Sequence, residues 1–118
     1  MRILFVDDEA DLREVVPDGL RALGVDVDTA ANGTLARHLL ENHTYDVLVT
    51  DLYMPDMDGI ELIRVAKSIA PAMPVLVMSG NNKQVHASTL RLGGAGMIRK
   101  PFQVQELLDQ INGLLAAV

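Results

Sequence analysis

The sequence predicts an α/β fold in which five parallel strands form one sheet with helices on both of its faces. Short apolar runs rich in β-branched residues alternate with longer segments that have helical spacing. This alternation favours a doubly wound sheet, because parallel strands must be joined by crossover connections. Runs such as VLVT at 47–50 and VLVM at 75–78 are apolar almost throughout, which is typical of strands covered on both faces.

The elements follow one another in a regular order, and each predicted strand coincides with one apolar run. In order, these strands are Ile3 to Val6, Val25 to Thr29, Val47 to Thr50, Pro74 to Met78 and Gly96 to Ile98. We expect a helix after each strand, which gives five helices. Helical spacing is clearest in the third and the last, at Ile60, Ile63, Ala66 and Ile69 and at Val104, Leu107, Leu108, Ile111, Leu114 and Leu115.

Two kinds of residue mark the ends of the predicted helices: asparagines that suit the first turn and glycines that suit the last. These are Asn32 and either Asn81 or Asn82 as N-caps, and Gly24 and Gly93 as terminators. Pro17 lies inside the first helix. A proline there removes a hydrogen bond and clashes with the preceding turn, so we expect a kink.

The length and composition limit the function. The 118 residues fit one domain, and we expect residues 1–118 to form it. The net charge of −6 argues against direct binding of nucleic acid. The absence of cysteine excludes disulfides and thiolate metal sites, and the apolar runs are far shorter than the ~20 residues of a membrane-spanning helix. We therefore expect a soluble, cytoplasmic protein that contacts no membrane.

Several polar residues stand where predicted strands end. They are Asp7, Asp8 and Glu9 after the first strand, Asp51 after the third, Ser79 after the fourth, and Arg99 and Lys100 after the fifth. Because ligands gather at the carboxyl ends of parallel strands, we expect these side chains to meet.

Crowded carboxylates either raise their pKa values or recruit a cation. Mg²⁺ prefers oxygen ligands and combines carboxylates with phosphate oxygens, while the Lys100 ammonium suits a phosphate oxygen. The Ser79 hydroxyl could donate a hydrogen bond to the same group. The set thus predicts a site for a phosphoryl group carried on a carboxylate.

These residues lie in four short motifs, which are FVDDE at 5–9, TDLYMPDMDG at 50–59, MSG at 78–80 and RKPF at 99–102. With them, the whole chain resembles the receiver domains of bacterial two-component response regulators, the CheY-like family. The resemblance implies a flavodoxin-like sheet with strand order 2-1-3-4-5. It also implies a cis peptide bond before Pro101.

The resemblance also implies a role for each site residue. Asp51 is the implied phosphoacceptor, and the implied Mg²⁺ ligands are Asp7, Asp8, Asp51 and the backbone carbonyl of Tyr53. Ser79 and Lys100 are implied to contact the phosphoryl group. Ser79 and Met97 occupy the two switch positions of the family, although Met97 stands where Tyr or Phe is usual, and Gly80 stands where alanine is usual.

As a function, the resemblance implies a phosphorylation-activated switch that catalyses only its own phosphorylation and dephosphorylation. The implied phosphodonor is a sensor histidine kinase or a histidine phosphotransfer protein. The signal would be received by a downstream protein or an output domain. Formation of a homodimer is one possible consequence of phosphorylation.

Two other interpretations stay open. The chain could be a receiver domain excised from a larger response regulator or a hybrid kinase. It could instead be a metal-dependent phosphatase with an aspartyl-phosphate intermediate, although such enzymes usually place a second acid where Tyr53 stands. Asp56 and Asp58 lack the spacing of a calcium loop, so turn and capping roles are expected for Asp58 and Gly59.

Overall fold

The computed structural model describes residues 1–80 and 94–116. The strands in this part are β1 (Arg2–Val6), β2 (Asp26–Ala30), β3 (Val47–Asp51), β4 (Val75–Ser79) and β5 (Gly94–Arg99). The helices are α1 (Ala10–Ala22), α2 (Gly33–Asn42), α3 (Gly59–Ile69) and α4 (Val104–Ala116). All five predicted strands are confirmed. The helix predicted after β4, with its caps at Asn81 or Asn82 and Gly93, lies outside the described residues.

The five strands form one parallel sheet in the order β2-β1-β3-β4-β5, which confirms the predicted doubly wound fold. The register brings the strand ends together at one edge. Asp51, the last residue of β3, pairs with Met78 of β4, and Ser79 pairs with Arg99 of β5. The sheet therefore places the ends of β3, β4 and β5 side by side.

In the part of the chain that the structure describes, a pair of helices covers each face of the sheet. Strand residues alternate between the faces, so that Leu4 and Val6 pack towards α2 and α3, whereas Ile3 and Phe5 pack towards α1 and α4. Every residue of β3 and β4 is buried, as the uninterrupted apolar runs predict. None of the helices in the described part of the chain has the length and apolar character needed to cross a bilayer.

The helix ends agree with the predicted boundaries. The Asn32 side chain accepts a hydrogen bond of 2.8 Å from the Leu35 N–H and caps α2, and Asp58 caps α3 through the Glu61 N–H at the same distance. Gly24 follows α1 with a φ of +85°, a left-handed conformation that glycine adopts without strain. Pro17 is buried inside α1, and the helix continues past it to Ala22. The kink stays a prediction.

Candidate functional site

Acidic side chains meet where β1 and β3 end. Asp7 follows β1 directly and Asp51 ends β3, and oxygen atoms of Asp7, Asp8 and Asp51 lie within 4.8 Å of one another. Asp7 is fully buried and Asp51 is only 8% exposed, while Asp8 is exposed. Buried carboxylates are rare unless they are paired or bind a cation. The site is therefore a built feature of the fold and differs from a solvated acidic patch.

Lys100 joins two of these carboxylates. Its ammonium donates to Asp7 Oδ2 at 2.6 Å and to Asp51 Oδ2 at 3.1 Å, and Glu9 Oε1 lies 3.7 Å away. The Lys100 backbone N–H donates to the Ser79 carbonyl at 2.7 Å, which fixes the residue beside the end of β4. The Lys100–Pro101 peptide bond is cis, as the resemblance implied.

The pKa values of Asp7 and Lys100 reflect this packing. Burial raises the pKa of Asp7, even though the hydrogen bond and charge of Lys100 act in the opposite direction. Burial by itself would lower the pKa of Lys100, but its hydrogen bonds and charge interactions with Asp7 and Asp51 together outweigh burial and raise that pKa. Lys100 is therefore protonated at neutral pH.

Further contacts fix the backbone around Asp7. Its Oδ1 accepts a hydrogen bond of 2.9 Å from the Glu9 N–H, and its backbone carbonyl accepts one of 2.9 Å from the Arg13 guanidinium. The Asp7 N–H donates to the Ala30 carbonyl at 3.2 Å. The end of β1 is thus tied both to the start of α1 and to the end of β2.

The loop after Asp51 folds back on itself. The Tyr53 N–H donates to Asp51 Oδ1 at 3.3 Å, and the Gly59 N–H donates to the Leu52 carbonyl at 2.6 Å. A Cβ on Gly59 would lie 2.5 Å from Leu52 Cα and 2.8 Å from the Asp51 carbonyl oxygen. Glycine is required here because the first turn of α3 touches this backbone directly. The predicted metal contact of the Tyr53 carbonyl stays a prediction.

The two predicted switch residues occupy adjacent strands. Ser79 ends β4 and is 2% exposed, and it follows Met78, the neighbour of Asp51 in the sheet. Met97 lies in β5 opposite Val77 and is 39% exposed. Among the residues that the structure describes, none has an atom within 4 Å of the position that a Cβ on Gly80 would take.

One residue of this region has a role that the sequence did not indicate. Asp56, in the loop between β3 and α3, accepts hydrogen bonds from the backbone N–H groups of Gly33 and Thr34 and from the Thr34 hydroxyl. These partners are 22 and 23 residues away along the chain. No periodic pattern indicates a contact between a loop carboxylate and a distant helix end, so only the folded structure reveals it.

The acidic cluster fits a hard divalent cation. Its donors are all carboxylate oxygens, and two of its three acids are buried. Lys100 compensates one of the three negative charges of Asp7, Asp8 and Asp51, which leaves a formal charge of −2. Magnesium suits such oxygen ligands and such a charge. Asp7, Asp8 and Asp51 are therefore the side chains that would hold it.

A model of the response regulator receiver domain family matches residues 3–112. The chain belongs to this family. Among relatives of this receiver domain, the probable transcriptional regulatory protein SilR of Salmonella typhimurium is 35% identical, over 98% of the chain and 51% of that protein. The transcriptional regulatory protein CusR of Escherichia coli K12 is 34% identical over the same shares. The chain spans about half the length of these relatives.

Solved structures agree with the assignment to receiver domains. The receiver domain of the Francisella response regulator 1452 superposes with a TM-score of 0.87 at 27% identity, covering 98% of this chain and 97% of that one. The chemotaxis response regulator CheY4 of Vibrio cholerae gives a TM-score of 0.87 at 28% identity, covering 96% of this chain and 97% of that one. The fold and the two-component family predicted from the motifs are confirmed.

The raised pKa of Asp7 makes a testable difference to the stability of this receiver domain. An acid whose pKa is higher in the folded state stabilises that state below its ordinary pKa, here 3.8, and this contribution is lost as the pH rises through the folded value. We expect the free energy of unfolding of Asp7→Asn to match that of the wild type at acid pH and to exceed it at neutral pH without divalent cations. Urea unfolding at a series of pH values measures this difference.

The matched control for this prediction is Asp26→Asn, which removes an exposed carboxylate at the start of β2, away from the acidic edge. The difference between its free energy of unfolding and that of the wild type should not grow from acid to neutral pH as the difference for Asp7→Asn does. A constant difference between Asp7→Asn and the wild type at every pH would contradict the prediction.

Proposed function

We propose that this receiver domain is a phosphorylation-activated switch in which Asp51 accepts a phosphoryl group. The observation that carries the proposal is the contact of Lys100 with Asp51 Oδ2 at 3.1 Å, inside a cluster of three carboxylates at the strand ends. A carboxylate nucleophile, a fixed ammonium and a place for a divalent cation are the components that phosphoryl transfer needs.

The phosphodonor in this proposal is a phosphohistidine on a sensor histidine kinase or a histidine phosphotransfer protein. An Asp51 carboxylate oxygen attacks the phosphorus atom, a P–O bond forms, and the P–N bond to the imidazole breaks. The released imidazole nitrogen takes a proton from solvent. Water later attacks the same phosphorus atom and releases inorganic phosphate, which restores the carboxylate. The chain thus catalyses only its own modification.

The residues around Asp51 supply position and charge for this step. The Tyr53 N–H orients the carboxylate through Oδ1, and Lys100 holds Oδ2. Preorganised groups of this kind lower the barrier because they need not rearrange as charge develops. When bound, Mg²⁺ would neutralise charge on the transferring oxygens. Asp7, Asp8, Asp51 and the Tyr53 carbonyl are its proposed protein ligands.

Phosphorylation changes the charge of the acidic edge and so supplies the switch. The phosphoryl group carries roughly −1.5 to −2 charge and new acceptor oxygens, while the Asp51 carboxylate loses its own single negative charge when the acyl phosphate forms. Lys100 already lies within hydrogen-bonding distance of that side chain, and Ser79 ends the adjoining strand. We infer that both side chains turn to the phosphoryl oxygens. This would move the end of β4 and the segment after β5. Met97, an exposed residue of β5, is then the second proposed switch residue.

Partners and location belong to the same proposal. The chain spans about half of relatives that are named transcriptional regulatory proteins, which supports a receiver that acts on an output domain or on a separate downstream protein in the cytoplasm. The receiver itself would contact neither nucleic acid nor a membrane, and pairing of two phosphorylated copies is one way to transmit the signal. The phosphatase alternative is less well supported, because the position expected to hold its second acid is Tyr53.

Incubation with acetyl phosphate and Mg²⁺, followed by intact-mass measurement, tests the proposal. We expect the mass of one phosphoryl group on the wild type, and peptide mapping should place it on Asp51. Omission of Mg²⁺ should abolish the modification. An unmodified wild type, or a phosphoryl group mapped to another carboxylate, would refute the proposed role of Asp51.

A further inference from the structure

We propose that Asp56 is a positioning residue for phosphoryl transfer, which holds the loop after Asp51 against the first turn of α2. The inference rests on the proposed phosphoacceptor function and adds a residue to it. Asp56 is exposed and lies five positions after Asp51. Among the described residues its hydrogen bonds are to Gly33 and Thr34, and not to the acidic cluster of Asp7, Asp8 and Asp51. Its effect on the site must therefore pass through the loop.

Both carboxylate oxygens of Asp56 are used at the start of α2. Oδ1 accepts a hydrogen bond of 3.1 Å from the Gly33 N–H, and Oδ2 accepts bonds of 3.0 Å from the Thr34 N–H and 2.7 Å from the Thr34 hydroxyl. The first N–H groups of a helix have no partner within the helix and favour an anion. The hydrogen bonds from Thr34, first that of the hydroxyl, hold the pKa of Asp56 below its ordinary value. The carboxylate is thus ionised at neutral pH.

Side-chain packing brings the same two segments together. A Cβ on Gly33 would lie 2.5 Å from the Cβ of Met57 and 2.8 Å from its sulfur atom. The loop therefore approaches α2 as closely as it does because residue 33 is glycine. Asp56 and Met57 together fasten the tip of the loop to the helix.

The loop connects this contact to Asp51. Its base is closed by the hydrogen bond between the Gly59 N–H and the Leu52 carbonyl, and the Tyr53 N–H reaches Asp51 Oδ1. Removal of Asp56 would leave the base closed but would detach the tip from α2. Tyr53 would then be less restrained, and with it the orientation of the acceptor carboxylate.

The decisive comparison is Asp56→Ala with Asn32→Ala. Each variant removes side-chain acceptors from the first turn of α2, and so both weaken the start of the helix. Asp56 accepts three hydrogen bonds there, and Asn32 accepts one of 2.8 Å from the Leu35 N–H. Only Asp56 belongs to the loop. Thr34→Val adds a third arm, because it removes the hydroxyl donor and keeps the backbone N–H that Asp56 accepts.

Three quantities should be measured on each variant: hydrogen exchange of the Tyr53 amide without metal, the Mg²⁺ dissociation constant by NMR titration, and the rate of phosphorylation by acetyl phosphate. For Asp56→Ala we expect faster exchange, with Mg²⁺ affinity and rate each lowered roughly three- to tenfold. Thr34→Val should change all three less, and adding it to Asp56→Ala should cause little further loss, because the two residues act through one contact. Asn32→Ala should leave all three close to wild type.

Equal effects of Asn32→Ala and Asp56→Ala would overturn the proposal, because helix stability alone would then explain them. Unchanged Tyr53 exchange and Mg²⁺ affinity in Asp56→Ala would overturn it as well. A wild type that accepts no phosphoryl group would instead refute the proposed function. The exchange and Mg²⁺ measurements would still decide whether Asp56 positions the loop.

Discussion

Asp51→Asn is expected to accept no phosphoryl group while the protein remains folded. Asparagine has nearly the same shape, its amide oxygen can still accept from the Tyr53 N–H, and Lys100 keeps its 2.6 Å bond to Asp7. What is lost is the carboxylate nucleophile. Because one of three crowded acids is neutralised, the metal-free variant should also be at least as stable as the wild type at neutral pH. Intact mass after treatment with acetyl phosphate, and urea unfolding, measure the two effects.

Asp26→Asn is again the matched control, since it also removes one carboxylate but at the start of β2. It should be phosphorylated as fully as the wild type. Phosphorylation of Asp51→Asn at the wild-type rate would show that a neighbouring acid, such as Asp8 or Glu9, is the acceptor. A large loss of stability in Asp51→Asn would show that the carboxylate supports the fold more than its crowded surroundings indicate.

Gly59→Ala is expected to destabilise the protein by about 3 kcal/mol. The added methyl group would lie 2.5 Å from Leu52 Cα and 2.8 Å from the Asp51 carbonyl oxygen. These are backbone atoms, so rotation of a side chain cannot relieve the clash, and the first turn of α3 must move away from the end of β3. Urea unfolding measures the loss. Phosphorylation by acetyl phosphate should also be slower, because the same movement displaces the loop after Asp51.

Gly113→Ala provides the comparison for a glycine without such a contact. It lies within α4, and apart from its chain neighbours and the backbone of its own helix, no atom of the described residues lies within 4 Å of the position its Cβ would take. The change should stabilise the helix by ~0.5–1 kcal/mol, because alanine loses less conformational entropy on folding than glycine. If Gly59→Ala raised the free energy of unfolding as Gly113→Ala does, the close approach of α3 to Leu52 would not exist in solution.

The sequence predicted the sheet well because its signal is local and repeated. Each apolar run between polar segments became a strand, and the two-sided burial of β3 and β4 follows from their uninterrupted apolar residues. The ends of strands were less well predicted. Ser79 and Arg99 belong to β4 and β5 because they pair with each other, and pairing across the sheet leaves no mark on either segment alone.

The candidate site was predicted in part for the same reason. Asp7 and Lys100 each follow a strand and Asp51 ends one, so the topology alone indicates that they meet. That one ammonium contacts both Asp7 and Asp51 could be seen only from the interatomic distances of the folded structure. The contact of Asp56 with Gly33 and Thr34 likewise depends on how the loop folds. In sequence, Asp56 is one more polar residue in a turn that already contains Asp58.

The two clusters of buried side chains have a consequence for how such a domain diverges. They share no residue, and the backbone of the sheet lies between them. A substitution in the cluster packed by α1 and α4, for example at Leu20 or Leu107, therefore contacts different neighbours from a substitution in the cluster packed by α2 and α3. Changes in unfolding free energy at such separated sites add. Each helical layer can be remodelled over evolution or by design while the other keeps its packing. The strand ends, where both layers meet the acidic residues, have no such freedom.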